Sequence, residues 1–192
     1  MEDVHHRNGR WWGYRSIGRV TFQKIAYFAT QVGIPTGLEY RKGSYGPYSP
    51  MLKAVETKLV NNGLIQEERL GRMLRVRVGS TYEDARRAYA AELAQWDVMI
   101  ERIADLFLRM PTKDAEIAAT VHFAFISLAQ SAERVPSERE VLEEVMKWKQ
   151  KRRPPLRKEE VAKMIRSLNM LGWVTPKASR NLPVSEKAVV GL

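Results

Sequence analysis

The residues whose chemistry could support catalysis are few and scattered. Three histidines occur, two of them at positions 5 and 6 and the third, His122, inside an apolar run. A lone histidine on an apolar helix is more often a packing residue than a base or a metal ligand. The sequence has no cysteine, and it lacks a glycine-rich phosphate loop and the HExxH and GxSxG patterns. We therefore predict a protein that is not an enzyme and needs no cofactor or metal. An enzyme with His122 as its base is the weakest hypothesis.

Basic and aromatic residues give a stronger signal, and that signal is for binding. Lysine and arginine number 32 against 22 acids, which gives a net charge of +10. The segment 147–158 holds seven cations and no acid, and the loop 40–50, YRKGSYGPYSP, adds three tyrosines. Basic side chains bind phosphates and aromatic faces stack on bases, but such clusters also contact proteins. Trp148, at a predicted helix end, could instead close a core.

Two overlapping sets of residues follow from this pattern. The predicted partner-binding set is Lys42, Tyr45, Tyr48, Trp148, Lys149, Lys151 and Arg152. The alternative, nucleic-acid-binding set is Arg69, Arg72, Arg75, Arg77, Lys151, Arg152 and Arg153. Within the loop, turn formation accounts for the glycines, the prolines and Ser49. It does not account for Lys42, Tyr45 and Tyr48, which we assign to the partner.

The spacing of apolar residues predicts the elements that carry these side chains. In the first helix the predicted buried residues are Phe22, Ile25, Ala26, Ala29 and Val32. The predicted helices run from Thr21 to about Val32, from Ser49-Pro50 to Gly63, from Thr81 to about Met110, around 117–129, from Ser137 to Trp148, and over about 158–171. A short strand is predicted at 38–41 and a hairpin at 64–78, where Leu74, Val76 and Val78 alternate with arginines.

These elements predict a mainly α fold with a minor β component. A helix, a turn, a second helix and a two-stranded ribbon, in that order, are the elements of a winged helix. The segment KLVNNGLI (58–65) is weakly similar in sequence to SLNMLGWV (167–174), which suggests that the second half has a similar layout. We predict winged-helix-like halves packed around the helix at 114–130. The predicted regions are an N-terminal arm (1–18), one helical domain (19–183, in parts 19–80, 81–132 and 133–183) and a tail (184–192). In the arm, Trp11-Trp12 could seal the domain or form an exposed contact. No long apolar run occurs, so we expect a soluble, cytoplasmic protein with no membrane partner.

Several motifs together resemble a known family. KIAYFATQVGIPTGLEYRKGSYGPYSP (24–50) contains a K-x-x-Y-F helix and a K-G-x-Y-G-P-Y loop. Thr120-Val121-His122, Trp148 with Lys151-Arg152, and Gly172-Trp173 follow in order. This pattern, over about 20–175, resembles the C-terminal domain of DarG antitoxins and, more distantly, the Panacea or SocA-like antitoxins.

The resemblance implies a non-catalytic antitoxin module. In that family the DarT toxins attach ADP-ribose to single-stranded DNA, a DarG macrodomain removes it, and the C-terminal domain blocks the toxin's DNA cleft. The implied partner is a DarT-type ADP-ribosyltransferase. No macrodomain precedes the matching residues, so ADP-ribose removal is expected only in a longer protein or in a separately encoded macrodomain partner.

The net charge departs from what such a role suggests. Imitating DNA in a basic cleft calls for an acidic surface, whereas this chain is strongly basic. A local acidic patch could come from Glu67, Glu68, Glu83, Asp84, Glu138, Glu140, Glu143 and Glu144. The alternative function is therefore a winged-helix DNA-binding protein, such as a repressor of its own operon.

Overall fold

The computed structural model describes residues 17–71, 73–108 and 110–183. Within these ranges the chain forms eight helices and five short strands, which confirms the prediction of a mainly α fold with minor β structure. Residues 1–16 of the predicted arm, which include Trp11-Trp12, lie outside the described residues, as do the wing residue Arg72 and the tail 184–192. The last two residues of the predicted arm, Ile17 and Gly18, instead form a strand that pairs with the wing hairpin.

The strands are short and the helices are of very different lengths. In chain order, the strands are β1 (Ile17–Gly18), β2 (Arg41–Gly43), β3 (Gly46–Tyr48), β4 (Ile65–Leu70) and β5 (Met73–Val78). The helices are α1 (Arg19–Gln31), α2 (Leu52–Asn61), α3 (Tyr82–Ala88), α4 (Ala90–Ala94), α5 (Asp97–Phe107), α6 (Thr112–Ala132), α7 (Glu138–Trp148) and α8 (Lys158–Met170).

The described chain divides into two compact units. The first contains 17–41 and 48–112, and the second contains 42–47 and 113–183. The loop 42–47 therefore belongs with the second half of the sequence, although it lies between α1 and α2 along the chain.

The first unit has the element order of a winged helix. Strands β4 and β5 follow α1 and α2 along the chain, and with β1, which precedes α1, they form an antiparallel sheet of strand order β1-β5-β4. The predicted hairpin is confirmed, with Ile65 opposite Val78 and Leu70 opposite Met73. Val76 is buried and faces Ile17 of β1 across the sheet, whereas Arg77 is exposed. The alternation of apolar and basic residues thus marks the two faces of β5.

The first helix begins and packs differently from the prediction. Gly18, not Thr21, is its N-cap, because β1 runs directly into the helix. The buried residues are Lys24, Tyr27 and Phe28 rather than the predicted stripe. Tyr27 and Phe28 are buried because they make edge contacts with Tyr40 and Phe107 respectively.

The segment between α1 and α2 also differs from the prediction. The strand expected at 38–41 begins only at Arg41, and its hairpin partner β3 lies within the loop 40–50, where no strand was predicted. Helix α2 begins at Leu52 with Met51 as its N-cap, so Ser49 does not cap it. The Ser49 hydroxyl is buried without a hydrogen-bond partner among the described residues.

The predicted long helix over 81–110 is three helices, α3, α4 and α5. The chain leaves helical geometry at Tyr89 and at Trp96, although neither proline nor glycine is present there. No residue of α3 or α4 is buried, and Tyr89 is 60% exposed. Most helical stability comes from packing of an apolar face. The apolar stripe is buried only in α5, at Ile103 and Phe107, so the part of it in α3 and α4 does not hold one continuous helix.

The second unit is built on α6, which is buried from Ala115 to Phe125 apart from Phe123. Ser137 caps α7, which was predicted to start there: Glu140 N–H donates to the Ser137 hydroxyl and Glu140 accepts from Ser137 N–H, which together form a capping box. In α8, Val161, Ile165 and Leu168 are fully buried, whereas Leu171, just beyond its end, is exposed.

Helices α2 and α8 end in the same way. Gly63 and Gly172 have φ angles of +70° and +69°, in the left-handed region that favours glycine. The N–H groups of the following residues, Leu64 and Trp173, donate to carbonyls five residues earlier, at 2.9 and 2.8 Å. The local geometry therefore agrees with the echo between the two sequence segments.

Removing the α7 cap should have a measurable effect on stability. We expect Ser137→Ala to lower the free energy of unfolding by about 1 kcal/mol, because the N–H of Glu140 loses its acceptor. Ser131→Ala is the matched control, since that exposed hydroxyl only donates to carbonyls within α6. Urea unfolding of both variants measures the difference, and equal midpoints would contradict the prediction.

Candidate binding surfaces

The loop 42–47 forms the tip of a small hairpin in the second unit. Strands β2 and β3 flank a two-residue turn, Ser44-Tyr45, and Gly46 has a φ of +93° that allows the sharp reversal. Pro47 is fully buried, whereas Tyr45 is 62% exposed. The turn thus presents one aromatic ring to solvent.

The end of α7 fixes this turn by hydrogen bonds to its backbone. The indole Nε1 of Trp148 donates to the carbonyl of Gly43 at 3.1 Å. The Lys149 Nζ donates to the carbonyl of Ser44 at 2.6 Å. Lys42 lies over the Trp148 ring, 5.6 Å from its centroid, and pairs with Glu144. The end of α7 thus binds the turn through two backbone carbonyls and through the Lys42 side chain.

A buried carboxylate on α6 supports the same contacts from below. Glu116 accepts from Lys149 Nζ at 2.9 Å and from the Arg152 guanidinium at 3.0 and 3.1 Å. Burial alone would raise the pKa of Glu116, but the hydrogen bonds from Arg152 and Lys149 outweigh it and leave this pKa below its ordinary value. Both oxygens of a buried charge are therefore paired, as stability requires.

The structure separates the predicted partner-binding set into different roles. Trp148 is half-buried, and Lys149 is only 4% exposed, so its ammonium group supports the turn and does not reach a partner. The assignment of Lys149 to a partner contact is thereby corrected. Lys151 is exposed, and Arg152 is half-buried against Glu116. Tyr48 is 40% exposed but belongs to the first unit.

The wing arginines are partly neutralised by neighbouring acids. Glu68 lies 3.0 Å from Arg77 and 3.8 Å from Arg75, both across the β4–β5 hairpin. Arg69 is exposed and donates to the carbonyl of Gly71. Of the three wing arginines that the structure describes, Arg69, Arg75 and Arg77, only Arg69 thus has no acidic partner on the hairpin.

The histidine that was considered as a base is a buried residue of α6. His122 is 5% exposed, and its ring lies 6.4 Å from that of Trp173 in an edge-to-face arrangement. The described ranges contain no group of three or more histidine and acidic residues that could hold a metal ion.

Most acids that could have formed an acidic patch are occupied by cations. Glu138 accepts the N–H of Ser179 at 2.9 Å, and six others form ion pairs. These pairs are Glu67 with Arg19, Glu68 with Arg77, Asp84 with Arg87, Glu140 with Arg134, Glu143 with Arg139, and Glu144 with Lys42. Of the eight candidates, Glu83 has no such partner among the described residues.

An acidic surface exists elsewhere, on α5 in the first unit. Asp97, Glu101 and Asp105, the acidic ridge, are exposed and spaced by four residues along one helix. None of them has an ion pair or side-chain hydrogen bond within the described ranges. Val98 and Ile100 beside them are 79% and 41% exposed. The eight acids considered from the sequence for an acidic patch did not include these three; their regular spacing along the predicted helix over 81–110 was the available signal.

The acidic ridge stands out against the rest of the chain. The segment 82–107 contains six acids and three arginines, whereas the whole protein has a net charge of +10. Like charges four residues apart on a helix are mutually destabilising, by about 0.2–0.5 kcal/mol per pair. Only Asp97, in the first turn of α5, gains from the helix dipole, and the spacing of the three acids adds no further stability. A role in binding would account for it.

Comparison with known proteins leaves the family open. No protein-family model matches the chain, and no curated protein matches it significantly. Within the described residues, no helix combines the length and apolar character needed to cross a membrane.

The buried carboxylate should be essential for the second unit. We expect Glu116→Gln to lower the free energy of unfolding by about 3–5 kcal/mol, because the buried Lys149 ammonium loses its counter-charge. Glu39→Gln, at an exposed loop position, should change stability by less than about 0.5 kcal/mol. Chemical unfolding monitored by circular dichroism measures both free energies of unfolding. A Glu116→Gln protein as stable as the control would contradict the role of Glu116 as the stabilising counter-charge of Lys149.

Acid should destabilise the protein through paired carboxylates. Hydrogen bonds from Arg134 and Ser137 lower the pKa of Glu140 to about 2. Burial raises the pKa of Glu160, but Lys113 and Arg157 outweigh it and lower this pKa to about 2. Because these folded-state pKa values lie below the ordinary value of 4.5, the stabilisation is complete above pH 4.5. We expect the melting temperature to fall between pH 4.5 and 2; a melting temperature constant over that interval would contradict this.

Proposed function

We propose that this chain is a non-catalytic antitoxin domain that binds a DarT-type DNA ADP-ribosyltransferase and covers its single-stranded DNA cleft. The resemblance between 20 and 175 suggests the partner, and the acidic ridge is the observation that supports the mechanism. The proposal assigns no catalysis to the chain; removal of ADP-ribose would fall to a macrodomain protein. Because the toxin acts on DNA, the proposal places the protein in the cytoplasm.

The acidic ridge has the charge pattern that such a cleft would accept. A cleft that holds single-stranded DNA is positively charged and follows a line of phosphates. Residues four apart on a helix are about 6 Å apart along its axis, so Asp97, Glu101 and Asp105 present a regular line of negative charges. The proposal therefore moves the expected toxin contact from the loop 41–49 to α5.

The exposed apolar residues beside the ridge support a protein partner. Val98 and Ile100 lie next to the acids, and Tyr89 lies before α5 begins. Interfaces combine an apolar centre with charges that set orientation and the rate of association. A nucleic acid backbone offers no comparable apolar surface to cover these residues.

Co-expression tests the function itself. We expect the chain to restore growth of cells that express a DarT-type toxin encoded beside it, and to co-purify with a catalytically inactive form of that toxin. If the chain neither restores growth nor co-purifies with the toxin, the proposed function is wrong.

Neutralising the ridge tests the surface. We expect the triple variant Asp97→Asn, Glu101→Gln and Asp105→Asn to bind the toxin at least about tenfold more weakly, with most of the loss in the association rate at low salt. The matched control is Glu39→Gln, Glu133→Gln and Glu159→Gln, which changes the net charge equally and also removes one acid from a helix's first turn. Equal affinity of the two triple variants in a surface-plasmon measurement would exclude the ridge.

A DNA-binding autoregulator is the second candidate, and the winged-helix element order of the first unit favours it. Wing arginines that contact phosphates should make the affinity for duplex operator DNA fall with salt, by about one unit of log–log slope per contact. Arg69→Gln should reduce that slope by about one. Duplex binding that is absent or insensitive to salt would remove this candidate.

A further inference from the structure

The second unit carries a surplus of positive charge that its own acids do not neutralise. Glu116 is shared by Lys149 and Arg152, and Glu160 is shared by Lys113 and Arg157, so each carboxylate leaves one cation uncompensated. Lys151 and Arg153 are exposed, and neither forms an ion pair within the described ranges. The unit thus presents a strongly basic surface along 151–158.

Next to this surface stands the exposed ring of Tyr45. The hydrogen bonds from Trp148 and Lys149 to the turn fix the backbone that carries it. Lys149 lies two residues before Lys151 and donates to the carbonyl of Ser44, the residue before Tyr45, so the turn lies beside the start of the basic segment. An aromatic side chain on a fixed turn loses little conformational freedom when it binds a ligand.

We propose that Tyr45, Lys151 and Arg153 form a binding surface for single-stranded nucleic acid. The two cations bind the phosphates, and the tyrosine ring stacks on an unpaired base. This site lies outside the acidic ridge and does not depend on the proposed toxin contact. A single strand suits the geometry better than a duplex, because duplex bases are stacked on each other and cannot cover an exposed ring. An acidic protein would satisfy the cations but gives no reason for the exposed aromatic ring.

Fluorescence anisotropy with a labelled oligothymidine of about 15 nucleotides tests the site over a range of salt concentrations. We expect Tyr45→Ala to weaken binding about tenfold, and Tyr45→Phe to bind like the natural protein because its ring can still stack. Lys151→Gln with Arg153→Gln should reduce the log–log salt slope by about 1.4, or about 0.7 for each phosphate that the variant no longer neutralises.

Matched controls separate the site from general charge and folding effects. Tyr89→Ala removes a similarly exposed tyrosine, and Lys53→Gln with Lys58→Gln removes two exposed lysines of α2; both should leave binding unchanged. Thermal melts establish that each variant is folded. The proposal is overturned if Tyr45→Ala binds as tightly as Tyr89→Ala, if a duplex of equal length binds as well as the single strand, or if polyglutamate displaces the strand at equal charge concentration.

Discussion

The carboxylate of Glu116 is buried on the central helix of the second unit, where a charge is stable only if its partners surround it. Lys149 and Arg152 are those partners, and Lys149 also donates to the carbonyl of Ser44. One buried acid thereby connects α6, the end of α7 and a turn that is distant from both in sequence. The exposed position of Tyr45 is a consequence of this connection, because the turn that carries it is hydrogen-bonded from within.

Ion pairing gives the two units of this basic protein different surfaces. Eight of the nineteen acids in the described residues form ion pairs with arginines or lysines, which weakens their negative potential. Among the others, Asp97, Glu101 and Asp105 on α5 are exposed and unpaired, and they lie beside exposed apolar residues, which is the combination expected for a protein partner. On the second unit, two acids are each shared by two cations, so positive charge remains. The net charge of +10 therefore predicts neither the acidic surface on α5 nor the position of the basic surface on the second unit.

The sequence predicted the elements well where local chemistry decides them. The capping box of Ser137, the glycine ends of α2 and α8, and the alternating β5 strand each depend on residues a few positions apart. The single long helix over 81–110 was wrong: its apolar stripe is buried in α5, at Ile103 and Phe107, but not in α3 or α4, and the helix breaks at Tyr89 and Trp96. Periodicity states which residues share a face but not whether that face is covered.

By itself, the sequence determined the mainly α class, the winged-helix element order, the positive charge and the residues that the loop's turn does not need. Only the tertiary structure decided what those residues do: Lys42 is paired, whereas Tyr45 and Tyr48 remain exposed. It also decided that Lys149 is buried under the turn. It also decided which acids are free, because ion pairs between distant segments depend on distances in space. The physical reason is the same in both cases. Backbone geometry and capping act within a few residues, whereas burial and charge pairing are set by whichever residues the fold brings together.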